Sequence, residues 1–497
     1  MPKSVSQSGS IDLLAIAHQV MMAEGFAPDL SAPVMREVQS IVANPQPLTS
    51  DPSIRDLREL LWSSIDDAKT RDLDQVEYAE KLSSSATRVL IGIADVDAFV
   101  RRGSATDRHA GLNSTSVYTG VKTFPMLPEE LSTGLTSLAP GEDRLAIVTE
   151  MIVGPDGAVK GNDVYRAVIH NHAKLAYKSI GDWLDGKGEA PASVKTKAAL
   201  AAQIRLQFET ANRLAEMRKR QGAIELETIQ ATPLANDRGE VVELEVIEPN
   251  AARELISNFM IAANVAIAQF LETKGGPSLR RVVRTPERWD RIVRIAAELK
   301  EELPSKPNSR ALAVFLERRK QADPTHFPDL SLAVVKALGP GEYTVQLPGE
   351  EAEGHFGLAV TDYTHSTAPN RRYADLVTQR LVKAVLKDGS QPYRAQTLKQ
   401  IAEHCTERED AARKVERKIR KVAAALLLRD RSGEEFDAIV TGVTPKGTFA
   451  RTIRPPVDGK VVRGERGLDV GDKVVVRLLA TNPERGFIDF ARAGRGW

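Results

Sequence analysis

The stretch IDDAKTRDLDQ, residues 65–75, is a dense run of carboxylates between two apolar, strand-like segments, with acids at Asp66, Asp67, Asp72 and Asp74. Carboxylates held close together repel one another unless a cation or a proton intervenes, and ligand sets made only of oxygen favour magnesium or manganese over zinc. A metal site is therefore one interpretation. A solvated acidic turn is the other, and on spacing alone it is the more frequent of the two.

A second stretch, HFGLAVTDYTHSTAPNRRYADLV at residues 355–377, predicts a strand that leads into a helix beginning after Pro369. Arg371 and Arg372 then stand at a helix N-terminus, where cations oppose the helix dipole and local stability does not explain them. A phosphate bound there would meet both guanidiniums and the free backbone amides. Paired arginines opposite a carboxylate metal site are the groups needed for phosphodiester hydrolysis, in which one ion activates water and another supports the leaving oxygen.

The chain has 497 residues, which predicts about three domains. Residues 1–60 contain short apolar-periodic stretches separated by Pro, Asp and Ser, and we expect a small helical domain there, either a helix-turn-helix or a plain bundle. Residues 61–430 alternate strand-like and helical segments and end in a long helix over Thr397–Leu428. Residues 431–497 hold short strands between turn residues and predict a five-stranded barrel. The expected fold class is α+β, with several domains.

Composition excludes several classes of protein. The 68 Lys and Arg residues against 67 Asp and Glu leave a net charge of +1, so any surface for nucleic acid must be local. The single cysteine, Cys405, excludes a disulfide framework and a cysteine-rich zinc site. We find no apolar run of membrane-spanning length and no secretory signal at the N-terminus, so we expect a cytoplasmic protein without membrane association.

Over almost all of residues 61–430 the sequence resembles the ribonuclease II (RNB) family. The resemblance is long and falls in separate blocks rather than in one motif. The matching blocks are IDDAKTRDLDQV (65–76), GIADVDAFV (92–100), STSVYTGVKTFPMLPEELSTGLTSLAPGEDRLAI (114–147), KLAYKSIGDWL (174–184), ELISNFMIAANVAIA (254–268) and HFGLAVTDYTHSTAPNRRYADLV (355–377).

Carried over by position, the resemblance implies a role for several residues. It implies catalytic, metal-binding aspartates at Asp66, Asp72 and Asp74, and an arginine on the scissile phosphate at Arg371. It further implies that Tyr118 and Tyr177 contact the last nucleotides of the RNA, and it matches Glu416 to a family glutamate on the long helix. Together with Arg372 of the arginine pair, these three are the expected RNA-binding residues of this region. The implied cofactor is Mg²⁺, as two ions, with Mn²⁺ able to substitute. The implied reaction is processive hydrolysis of single-stranded RNA from its 3′ end to nucleoside 5′-monophosphates. We expect the protein to be a monomer.

The C-terminal strands, residues 436–492, resemble the OB-fold RNA-binding module first known from a ribosomal protein. In GTFA, residues 447–450, Phe449 stands on a strand where such modules often stack a base. An ordinary core phenylalanine is the alternative for this residue.

The sequence also departs from the family. Gln75 stands where a fourth aspartate is usual, Ser257 and Asn258 stand near positions that usually hold ribose-recognising glutamates, and Leu226 stands close to a usual stacking aromatic. Because a neutral amide removes one charge from the metal site, a competing hypothesis is an RNA-binding protein that kept the fold and lost the chemistry. An endonuclease is a third alternative.

Overall fold

The computed structural model describes residues 12–493 apart from 45–47, 49–50, 83–84, 228–230, 237–240, 247 and 325. Its helices are α1 (Leu13–Ala23), α2 (Ala32–Ala43), α3 (Ala105–Asn113), α4 (Tyr177–Leu184), α5 (Ala192–Lys195), α6 (Ala198–Gln221), α7 (Ala251–Thr273), α8 (Trp289–Glu298), α9 (Ser309–Ala322), α10 (Phe327–Leu338), α11 (Tyr373–Lys387) and α12 (Ala395–Leu427). Its strands are β1 (Arg55–Asp56), β2 (Trp62–Asp66), β3 (Gln75–Lys81), β4 (Thr87–Ala94), β5 (Val117–Tyr118), β6 (Thr123–Phe124), β7 (Asp143–Val153), β8 (Val159–Ala176), β9 (Ala231–Ala235), β10 (Val241–Val246), β11 (Ser278–Val282), β12 (Glu342–Gln346), β13 (Glu435–Thr444), β14 (Gly447–Thr452), β15 (Asp458–Arg463), β16 (Lys473–Asn482) and β17 (Phe487–Arg492).

The central sheet has six strands in the order β1-β8-β2-β3-β4-β7. The long strand β8 pairs antiparallel with β7 over residues 159–170 and parallel with β2 at its carboxyl end. Because β8 contacts both strands, the sheet curves back on itself. The parallel register sets Asp66 opposite Ala176, so the acidic turn after β2 lies beside Tyr177, the first residue after β8.

Both faces of this sheet are covered. One face packs mainly on α2, α3, α11 and α12, and the other on α4, α5, α6 and much of α7. Side chains alternate along a strand, so Val76 of β3 joins the first hydrophobic cluster and Ala79 joins the second. Gln75 and Glu77 share the face of Ala79, and both are buried.

The N-terminal region is helical only in part. The helices α1 and α2 agree with the expectation, but the apolar stretch IRDLRELLW, residues 54–62, forms β1 and leads into β2 instead of a third helix. The backbone of β1 pairs with the edge of β8, where Arg55 lies opposite Ala167. A short helix could not form these hydrogen bonds between strands. The helix α1 packs on α12, whereas α2 packs with α3 on the sheet side, so each buries its apolar face on the large domain.

The helix α12 closely matches the helix expected over Thr397–Leu428 and links the large domain to the last one. Its final turns pack on a closed five-stranded barrel of order β13-β14-β15-β17-β16, which confirms the expected barrel. Thr448, Ala450 and Thr452 of β14 are buried, and Phe449 between them is only half-buried. Phe449 therefore faces outward from the barrel, and the core alternative for it is excluded.

Among the described residues, one helix, α7, has the length and the apolar composition to cross a bilayer. In this fold 61% of its most apolar window is buried inside the protein. The helix packs against both sheet-side clusters, which accounts for its apolar composition without a membrane.

Candidate active site

The acidic turn between β2 and β3 is fixed at both ends. Asp66 ends β2, and its Oδ1 accepts a hydrogen bond from the Thr70 hydroxyl at 3.0 Å. The Lys174 ammonium, on β8, donates to the carbonyls of Ala68 and Thr70. Further along, the Leu73 amide donates to Ser137 Oγ at 3.1 Å. The turn is thus held by the neighbouring strand and by the long block at residues 114–147.

Asp74 is the most enclosed of the aspartates and is 4% exposed. Its Oδ1 accepts the Asn370 amide at 3.0 Å, and its Oδ2 lies 3.6 Å from Arg371 Nε. Burial raises the pKa of Asp74 to about 7, and the charge of Arg371 opposes this rise. Burial also raises the pKa of Asp72, against the charges of Arg371 and Lys174. The acidic turn and the arginine motif therefore meet, as the sequence predicts.

The two arginines of the motif have different surroundings. The Arg371 side chain is 44% exposed and faces Asp74. Arg372 precedes α11 as its N-cap, and its Nη2 donates to Asp375 Oδ1 at 2.8 Å. The Tyr373 amide is also engaged, since it donates to the Ser114 carbonyl at 2.8 Å. The expected clamp of two free arginines is therefore not formed, because an internal ion pair engages Arg372.

Tyr118 and Glu416 adjoin Arg371 on the other side. The Ser116 amide donates to the Arg371 carbonyl at 3.0 Å, which aligns β5 with the arginine motif. The Tyr118 amide donates to Glu416 Oε1 at 3.1 Å, so the long helix α12 supports β5 from behind. Tyr118 is 43% exposed, and with Arg371 and Glu416 it lines a cavity of about 230 Å³.

Tyr177 lies at the Asp66 end of the turn and has a partner that the sequence did not predict. The Arg253 guanidinium lies 4.4 Å from the centroid of the Tyr177 ring, and Arg253 Nη2 donates to Asp67 Oδ1 at 2.5 Å. Asn250, the N-cap of α7, donates to the Tyr177 carbonyl at 3.2 Å. Asn250 is a residue type favoured at helix N-caps, but such a local signal says nothing of an aromatic ring supplied by another segment.

The structure shows what surrounds two of the places where the sequence departs from the family. Ser257 is exposed, whereas Asn258 is buried and accepts a hydrogen bond from Arg218. Leu226 packs against the hydrophobic cluster of α8, α9 and α10. The Asn258 side chain is therefore already hydrogen-bonded within the protein. At Leu226 an aliphatic side chain stands close to the position where the family resemblance expects an aromatic ring.

Within the part of the chain that the structure describes, no three His, Cys, Asp or Glu side chains stand close enough together to hold a metal ion as they are. Asp66, Asp72 and Asp74 are nevertheless near enough to act on one another, since Asp66 raises the pKa of Asp72 and Asp72 that of Asp74. Their donor atoms are all carboxylate oxygens, the kind that Mg²⁺ and Mn²⁺ prefer. The donor chemistry of the turn fits a hard divalent cation.

Comparisons with known proteins find relatives over most of the chain. Residues 54–388 match the model of the RNB domain, and residues 434–493 match that of the RNase II-type exonuclease C-terminal S1 domain. Ribonuclease R of Escherichia coli (strain K12) is 32% identical over 472 residues, which cover 88% of this chain and 57% of that protein. The chain thus spans a little over half the length of the curated relatives it matches.

Solved structures show the same fold. A structure described as Mycoplasma genitalium RNase R in complex with ribose methylated single-stranded RNA superimposes with a TM-score of 0.86 at 22% identity, over 97% of this chain and 78% of that one. Yeast Ssd1, described as a pseudonuclease, gives a TM-score of 0.67 at 17% identity, over 93% of this chain and 56% of that one.

Proposed function

Because the chain belongs to the RNB family, we propose that it is a 3′-to-5′ exoribonuclease that processively hydrolyses single-stranded RNA to nucleoside 5′-monophosphates. One observation carries the proposal. Asp74, Arg371 and Tyr118 come from three distant segments, yet Asp74 and Tyr118 both adjoin Arg371. A structural role alone does not require a buried carboxylate beside a half-exposed arginine and an exposed tyrosine.

Each residue has a task in this reaction. Asp66, Asp72 and Asp74 would hold Mg²⁺, as two ions, or Mn²⁺ in its place. When bound, these ions supply an activated water and support for the leaving oxygen. Arg371 neutralises charge that gathers on the scissile phosphate. Tyr118 and Tyr177 stack on the terminal bases, a contact that tolerates any sequence and is worth about 1 to 3 kcal/mol per base.

The remaining parts deliver the RNA. Glu416 positions Tyr118 through its backbone amide, and Phe449 on the outer face of the barrel offers a further ring for stacking. We retain residues 1–60, 61–430 and 431–497 as the helical, catalytic and RNA-binding parts, although β1 joins the catalytic sheet. The protein would act as a cytoplasmic monomer without membrane association. Arg372 would contribute positive charge near the site rather than a direct phosphate contact.

The competing function is RNA binding by a catalytically weakened RNB fold. Gln75 favours it, since it removes one negative charge from the metal site, and the fold likeness to Ssd1 shows that this architecture also occurs in a protein described as a pseudonuclease. The persistence of Asp66, Asp72 and Asp74 around one turn argues against it, because an inert site has no need of carboxylates that repel one another.

Digestion of single-stranded RNA, labelled uniformly in one sample and at the 5′ end in another, with Mg²⁺ or with a chelator, tests the proposal. We expect Mg²⁺-dependent release of mononucleotides and progressive shortening from the 3′ end. An RNA blocked at its 3′ end is the control, since cleavage of it would indicate an endonuclease. Absence of mononucleotide release at any enzyme concentration would leave the RNA-binding hypothesis.

We predict that Arg253→Gln lowers kcat/KM for RNA about five- to tenfold, mainly by raising KM. The substitution removes both the cation–π contact to Tyr177 and the ion pair to Asp67. Steady-state kinetics of mononucleotide release measure this change. Arg205→Gln is the matched control, since Arg205 lies 4.6 Å from the ring of Trp183 in the same kind of contact. Equal effects of the two substitutions would contradict a role of Arg253 at the site.

A further inference from the structure

Glu77 is a fully buried carboxylate without a partner. Its exposure is 0%, and neither carboxyl oxygen has a hydrogen-bond partner in the described structure. Glutamate is almost never fully buried unless it is paired, and an unpaired buried carboxylate costs several kcal/mol. The surrounding positions on its face of the sheet, such as Ile65 and Ile91, are aliphatic. An apolar residue would suit this core better, so Glu77 calls for a functional explanation.

The position of Glu77 relates it to the active site. Glu77 is two residues after Gln75 on β3, so the two side chains project from the same face. Across the sheet Glu77 pairs with Ser63 of β2, the strand that ends at Asp66. The Ser63 hydroxyl is also buried and has no hydrogen-bond partner among the described residues. Glu77 thus lies three residues after Asp74 and beside the strand that supplies the first aspartate of the turn.

The charges around Glu77 point the same way. Burial and the negative charge of Asp66 raise the pKa of Glu77 well above its ordinary value, and no cationic side chain acts on it among the described residues. Asp66 and Glu77 also both raise the pKa of Tyr177. Asp66 and Glu77 are therefore both near enough to Tyr177 to act on its hydroxyl. Arg253 brings a positive charge that lowers the pKa of Tyr177.

We propose that Glu77 is a further carboxylate of the metal site. From the next position on the same face of β3, it supplies the negative charge that Gln75 lacks. Consecutive residues on one face of a strand are about 6.6 Å apart, and glutamate is one methylene longer than aspartate, which shortens that distance at the carboxylate. A divalent cation between Asp66 and Glu77 would compensate both charges and engage the unpartnered oxygens. The inference rests on the metal site of the proposed function.

The alternative is that Glu77 is protonated and therefore neutral, with no metal ion beside it. In that state Glu77 would donate a hydrogen bond to Gln207, whose Oε1 is also unpartnered and whose Nε2 donates to the Glu77 carbonyl at 3.4 Å. A glutamine at position 77 would serve such a purely structural role equally well. The two alternatives thus predict opposite behaviour for the same substitution.

The test is titration of the full-length protein with Mn²⁺ alone, without RNA, followed by electron paramagnetic resonance of the free ion. We expect Glu77→Gln to weaken Mn²⁺ binding at least about tenfold or to remove one bound equivalent. The double variant Gln75→Asp with Glu77→Gln is expected to regain most of the affinity. The matched control is Glu80→Gln, which removes a carboxylate of the same strand that pairs with Arg88.

Wild-type affinity in Glu77→Gln, with unchanged or higher thermal stability, would overturn the proposal in favour of the neutral acid. Absence of Mn²⁺ binding by the wild-type protein would overturn it as well. If Glu77→Gln does not fold, Glu77→Asp replaces it, since it keeps the carboxylate but withdraws it by one methylene, and unchanged Mn²⁺ affinity there would again overturn the proposal. Glu77-dependent Mn²⁺ binding without RNA cleavage would support this inference while the proposed function fails.

Discussion

Asp74→Asn is expected to reduce the rate of mononucleotide release by about 10³-fold or more while RNA affinity stays within about twofold. The amide keeps the shape and the Oδ1 acceptor that receives the Asn370 amide, but it removes the charge that would hold the metal ion. Because burial already disfavours the charged form of Asp74, we expect no loss of thermal stability. Single-turnover kinetics and fluorescence anisotropy with labelled RNA measure the two quantities separately.

The control for this substitution is Asp163→Asn, which neutralises an exposed carboxylate that pairs with Arg55 on the sheet edge. It should leave both rate and affinity unchanged. If Asp74→Asn lowered RNA affinity as much as it lowered the rate, Asp74 would have a structural role and the assignment of the metal site would be wrong.

Arg371→Lys is expected to lower the rate about 10²-fold, because lysine keeps the charge but loses the planar set of donors that meets a phosphate in the transition state. Arg371 is half-exposed and faces Asp74, so the fold does not depend on its guanidinium. We expect the loss in kcat to exceed the change in KM, as measured by steady-state hydrolysis of a short RNA.

Substitution of the neighbouring Arg372 is expected to affect stability instead. Arg372→Ala removes the ion-pair partner of the fully buried Asp375 and is expected to lower the free energy of unfolding by about 3 kcal/mol. Thermal denaturation would detect this change, whereas Arg371→Lys should leave the melting temperature unaltered. A melting temperature that falls equally for both variants would show that Arg371 is also structural.

Much of the site could be predicted because its residues lie in contiguous blocks with strong local patterns. The Pro-Asn-Arg-Arg helix start and the acidic turn are each visible within about a dozen residues, and their meeting at Asp74 and Arg371 follows the family resemblance. The long helix α12 was predictable for a similar reason, since its periodicity extends over many turns without interruption.

The parts that could not be predicted depend on tertiary packing. In QVEY, residues 75–78 at the start of β3, polar residues alternate with apolar or aromatic ones, a pattern typical of a strand with one face in water. Because α6 covers that face, Glu77 is buried instead, and no local pattern indicates this. Likewise the stretch at residues 54–62 has helical periodicity, but the free edge of β8 turns part of it into a strand.

The hydrogen bond between Asp74 and the Asn370 amide joins residues 296 positions apart in the chain. During synthesis, the acidic turn has left the ribosome long before the arginine motif has been made. During this interval the nascent chain carries every proposed metal ligand but lacks Arg371. It therefore cannot yet form the site. If the protein degrades RNA as proposed, the messenger being translated is spared at least until the arginine motif has left the ribosome.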